Sequence, residues 1–84
     1  MSQVLDVNIV RAIAEIAVFL EFSPDRVINP DAAVEVMEQL SATLQLMDAS
    51  TKLAFSACLP SVASQYRGEQ AELVSSLADV LGLV

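Results

Sequence analysis

The chain has 84 residues, of which 55% are apolar and only 5% aromatic, with a mean hydropathy of +0.57. That length fits one domain, residues 1–84, with a core only just large enough to hold it together. Eleven acids against four bases give a net charge of −7, a surface that nucleic-acid phosphates and anionic lipid repel and that a basic protein attracts.

The first predicted helix runs from about Gln3 to Phe22. Its expected core face is Leu5, Ile9, Ala12, Ile13, Ile16 and Leu20, opposite Asn8, Arg11 and Glu15. Val18 and Phe22 interrupt the polar side. They either pack beneath the next loop or form a self-association patch. The longest unbroken apolar run, Ile16 to Leu20, lies between Glu15 and Glu21. It is far shorter than the ~20 residues of a membrane helix. The first residues carry Asp6 and no Lys or Arg, unlike a secretory leader, so the expected location is cytoplasmic.

Two helix-start signals follow. Ser23-Pro24-Asp25 and Asn29-Pro30-Asp31 each join a capping side chain to proline and an acid. They lie too close for both to launch long helices. The first predicts a single turn that drops Val27 and Ile28 into the core. The second launches the principal helix. Here Ala33, Val36, Met37, Leu40, Leu44 and Met47 form an aliphatic face, and Asp31, Glu35, Glu38 and Gln45 lie opposite.

Asp48 or Ser50 is expected to cap a third helix ending near Arg67. Phe55, Leu59, Val62 and Tyr66 fall on one of its faces. Pro60, inside this run, removes a backbone donor and crowds the carbonyl of Ser56. A kink is the expectation and a full break the alternative. On the wheel Pro60 faces away from Phe55. Gly68 is the natural stop. Leu73, Val74, Leu77 and Leu81 form the inner face of a fourth helix, with Glu72, Ser76 and Asp79 outside. Gly82 ends it, leaving Leu83 and Val84 as a frayed end or a hydrophobic latch. No stretch alternates with period two for long. The expected fold is all-α, a four-helix up-and-down bundle whose third helix is kinked at a proline.

Enzyme chemistry fails by inventory. The chain has no histidine, so Ser-His and Cys-His nucleophile pairs are out of reach, and Lys52 is the single lysine. The single cysteine, Cys58, forms no intrachain disulfide. Its place beside the third helix's apolar face predicts a buried small hydrophobe. No glycine-rich phosphate loop, calcium loop or zinc framework is present, so neither cofactor nor metal is expected. Asp31, Glu35 and Glu38 stand on a face expected to be wet. They are either plain solvated surface or the contact charges for a basic protein, with Gln45 further along.

That acidic helix, in a small helical acidic chain, resembles the immunity proteins that neutralise bacterial nuclease toxins by presenting acids to a basic cleft. The resemblance implies an antitoxin-like inhibitor with Asp31, Glu35 and Glu38 in contact. The Tyr-Tyr-Pro segment of colicin immunity proteins has no counterpart, since Tyr66 is the only tyrosine. The gross properties are also similar to acyl carrier proteins. Their modified serine, however, lies between aspartate and leucine, whereas Ser50 lies between Ala49 and Thr51. The runs Asn29–Phe55 and Leu77–Leu83 look like small bacterial proteins that bring no established activity. The leading expectation is a non-enzymatic module that binds a basic protein, and the alternative is a structural homodimer or adaptor. Val18, Phe22, Leu46 and Leu53 are the candidate self-association residues, because Leu46 and Leu53 stand off their helices' core faces.

Overall fold

The computed structural model describes residues 5–84, and about 72% of it is helix with no strand among the described residues. The helices are α1 (Val7–Phe22), α2 (Pro30–Leu44), α3 (Ala49–Ala63), α4 (Gly68–Ser75) and α5 (Leu77–Val80). None is long and apolar enough to cross a membrane. The all-α expectation holds. The expected first-helix start near Gln3 lies outside the described residues. Among those, α1 begins where Asp6 caps it, its carboxylate accepting from the Asn8 N–H at 2.8 Å.

The N-termini follow the sequence signals closely. Asn29 Oδ1 accepts from the N–H groups of Asp31 (2.8 Å) and Ala32 (3.2 Å), with Pro30 in the first turn. Those donors have no partner inside the helix, so the cap satisfies groups that folding would otherwise orphan. Asp48 does the same for α3, accepting from the Thr51 N–H at 2.8 Å and from the Ser50 hydroxyl at 3.0 Å. Hydrogen bonds from the Thr51 side chain and backbone, and from Ser50, hold its carboxyl below the ordinary carboxylate range. Ser23-Pro24-Asp25 gives only a turn, with the N–H groups of Val27 and Ile28 both donating to the Pro24 carbonyl.

The core forms mainly from α1, α3, α4 and α5. Phe55, Leu59 and Val62 of α3 are buried with Val74, Leu77, Leu81 and Leu83, and Tyr66 and Cys58 pack against them half-buried. Pro60 lies on the exposed side of α3, which runs through it without a break.

Five expectations need correction. On α1 the buried residues are Val10, Ala14, Ala17 and Leu20, while Ala12, Ile9 (53% exposed) and Ile16 (47%) face outward. The inner face is thus turned by one residue, about 100°. The small side chains of Ala14 and Ala17 let α1 approach α3 closely, so close packing outweighs the larger area that Ile9 and Ile16 would have buried. On α2, Ala33 alone is buried, Met37, Leu40 and Leu44 are half-buried, as is Met47 beyond its end, and Val36 is exposed. Val27 does not reach the core, although Ile28 is half-buried.

The third and fourth helices also differ from expectation at their ends. The third helix closes at Ala63 rather than near Arg67. Gln65 and Tyr66 donate to Val62 and Ala63, three residues back, which tightens the last turn. The expected fourth helix is interrupted at Ser76. Its hydroxyl donates to the carbonyls of Glu72 (3.0 Å) and Leu73 (3.2 Å), competing with the backbone ladder and dividing α4 from α5.

The chain's end is a latch. Gly82, at φ +71°, donates to the Asp79 carbonyl, and Leu83 donates to that of Ala78 at 2.7 Å. That pair of bonds is the Schellman arrangement, and it turns Leu83 back into the core beside Ala78 while Val84 stays outside. α2 is held differently. It packs substantially against α1 alone, despite the short link that joins it to α3. The molecule measures 46 × 26 × 18 Å, and a 16-residue helix is only ~24 Å long. The helices therefore overlap only in part along the long axis.

Candidate functional site

Because α2 lies at the edge, most of its circumference meets solvent. Asp31, Glu35 and Glu38 are exposed, on the side away from Ala33, Leu40 and Leu44. None has an ion-pair partner among the described residues, where the single salt bridge is Arg11–Glu15 on α1, at 3.7 Å. That bridge joins two exposed side chains and contributes little.

Gln45 behaves unlike the three acids. Its Nε2 donates to the Leu81 carbonyl at 3.0 Å across 36 residues of sequence. The amide lies over Gly82, where a Cβ would meet Nε2 at 2.6 Å. Gln45 thus ties the end of α2 to the latch. Sequence reading grouped it with the acids because both are polar and stand off the apolar face. The carbonyl that it meets comes from a distant segment.

A groove of about 430 Å³ opens beside the acidic face. The end of α1 and the following loop give it Leu20, Glu21, Ser23, Asp25 and Ile28. From α2 come Pro30, Ala33, Val34, Met37, Glu38 and Ser41, and Val80 of α5 completes the lining. The floor is aliphatic. The ionisable groups are three carboxylates, Glu21, Asp25 and Glu38, and neither Lys nor Arg lines it. Among the described residues no three potential ligands cluster tightly enough to hold a metal ion.

Of the residues singled out in the sequence, Glu38 lines this groove, and Asp31 and Glu35 do not. Glu21, Asp25 and Val34 were not singled out. Val34, 58% exposed on the polar side of α2, was the available signal. A single exposed aliphatic residue is ordinary on a protein surface, and Val34 gains meaning only from the groove beside it. The self-association candidates do not share one environment. Val18 packs half-buried against the core, Phe22 is at the margin of exposure, and Leu46 (85%) and Leu53 (69%) are exposed. A longer apolar strip lies on α1, where Ile9, Ile16 and Phe19 are each about half exposed.

No known protein family, characterised protein or solved structure matches the chain.

Proposed function

We propose that the chain is a non-enzymatic, cytoplasmic protein-binding module that docks a basic protein through the acidic face of α2, in the manner of an immunity or antitoxin-like inhibitor. Asp31, Glu35 and Glu38 supply the contact charges. One observation carries the reading: three carboxylates stand exposed on one helix with no cation in ion-pair reach among the described residues. With a net charge of −7 behind them, they steer a positive partner and disfavour nucleic acid and anionic membrane. The architecture in this reading is an up-and-down helical bundle, bent at Pro60, with α2 at its edge. A scaffold of that kind presents charges from a rigid helix rather than from a loop.

The test is a pull-down from native lysate with the wild-type chain and with Glu35→Lys/Glu38→Lys. A basic protein retained by the first and lost by the second, with unchanged circular dichroism, supports the assignment. Equal retention by both removes this face. A homodimer is the second reading, favoured by the exposed strip Ile9, Ile16 and Phe19 together with Leu46 and Leu53. Light scattering across concentration separates the two, because a monomer at all concentrations removes the dimer.

A further inference from the structure

The groove beside the acidic face narrows the chemistry of the partner. Leu20, Ile28, Ala33, Met37 and Val80 provide an apolar floor, and Val34 extends it onto the outside of α2. Its volume of about 430 Å³ lies within the range of sites that enclose a ligand group, roughly 300–1,000 Å³. Glu21 and Asp25 stand on the α1 and loop side, and Glu38 stands on α2. The apolar floor is thus flanked by negative charge contributed from two elements.

We propose that this groove receives an amphipathic helix of the partner, with aliphatic side chains in the floor and Lys or Arg against Glu21, Asp25 and Glu38. Two features of the chain argue for that occupant over others. The charge sign excludes an acidic or phosphate-bearing one. A second copy of this chain is excluded because its four bases are Arg11, Arg26, Lys52 and Arg67, no two in the same helix. No helix of this protein can therefore offer an aliphatic row flanked by several cations. Helix-in-groove recognition uses anchors at i, i+3 or i+4, and i+7, which an open apolar trough of this kind accommodates. The inference rests on the proposed function and deepens it, by moving the centre of contact from the outer acids to the groove.

The probe is a synthetic helical peptide of roughly 15 residues, with leucines at i, i+4 and i+7 flanked by lysines. It is titrated into the full chain by calorimetry. Saturable binding is expected. Val34→Lys, at an exposed position that leaves folding intact, is expected to weaken it by about tenfold or more, the size of effect of losing a central anchor. Glu21→Gln/Asp25→Asn/Glu38→Gln is expected to weaken it and to flatten its salt dependence. Glu69→Lys, on α4 and outside the groove, is expected to change it by less than about threefold.

Equal binding of a peptide with glutamate replacing lysine would show selection by apolarity alone and overturn the proposal. So would absence of saturable binding, or a concentration-dependent dimer that Val34→Lys dissolves. Loss of binding with Glu35→Lys but not with Val34→Lys would overturn the groove and leave the outer acidic face standing, so the two failures are distinct.

Discussion

Replacing Gly82 by alanine tests how α2 is fastened to the rest of the fold. At φ +71° an L-residue lies in the left-handed region, which costs roughly 1–2 kcal/mol for any side chain with a Cβ. That Cβ would also sit 2.6 Å from Gln45 Nε2 and 3.5 Å from its Cδ. The amide must leave, and its 3.0 Å bond to the Leu81 carbonyl goes with it. A neutral hydrogen bond of this kind contributes about 0.5–1.5 kcal/mol net. Gly82→Ala should therefore destabilise by about 2–3 kcal/mol, a fall in Tm on the order of 10–20 °C for a domain of this size. Gln45→Ala alone should cost about 1 kcal/mol. In the double variant the hydrogen bond is lost only once. The combined cost should thus fall short of the sum by about 1 kcal/mol, the signature of two residues in contact. Urea unfolding followed by circular dichroism at constant pH measures all four species. Strict additivity would refute the contact, and with it the tie between α2 and the carboxyl-terminal latch.

Three further outcomes are expected. Asn29→Ala, which orphans two N–H groups at the start of α2, should cost about 1 kcal/mol in urea unfolding and speed hydrogen exchange at Asp31 and Ala32. Ala14→Leu should destabilise by about 1–3 kcal/mol through overpacking at a fully buried site, whereas Ile16→Ala should cost less than about 1 kcal/mol, reversing the order expected from the sequence. The Asp48 carboxyl is held below its ordinary range in the folded chain, so its contribution is present above that range and is lost as pH falls through the lowered value. The acid limb of stability against pH should be shallower in Asp48→Asn, and carbon-detected titration of wild-type Asp48 should give a midpoint below that of a free aspartate.

What could be read in the sequence divides by range. The starts of α2 and α3 were visible because a cap and the donors it satisfies lie within three residues of each other. The stop at Gly82 was visible for the same reason. The inner face of α3 was legible because Phe55, Leu59 and Val62 recur at helical spacing, i, i+4 and i+7. α1 offered no such contrast. Apolar side chains cover most of its circumference, so the wheel favours the large Ile9 and Ile16. Packing instead selected Ala14 and Ala17, whose advantage appears only when another helix approaches. The division at Ser76 depends on one hydroxyl reaching back to two carbonyls, which helix propensity alone does not foresee.

The site divides along the same line. The acids of α2 repeat with helical period and were legible from a single segment. The groove was not, because its lining comes from three stretches, residues 20–28, 30–41 and 80, that meet only when α1, the following loop, α2 and α5 are assembled. Gln45 stands beside the acids on the helical wheel, and only the folded chain brings the carbonyl of Leu81 to it.

The central claim is that α2 meets the partner from its acid-bearing side while its other side packs on α1. The most direct measurement maps backbone amide shifts of the isotope-labelled chain as the captured basic protein is added. The account predicts that perturbations concentrate on Asp31–Glu38 and spread to Glu21 and Asp25, leaving α3 and α4 unmoved. Perturbations centred on Ile9, Ile16 and Phe19, with α2 silent, would contradict it.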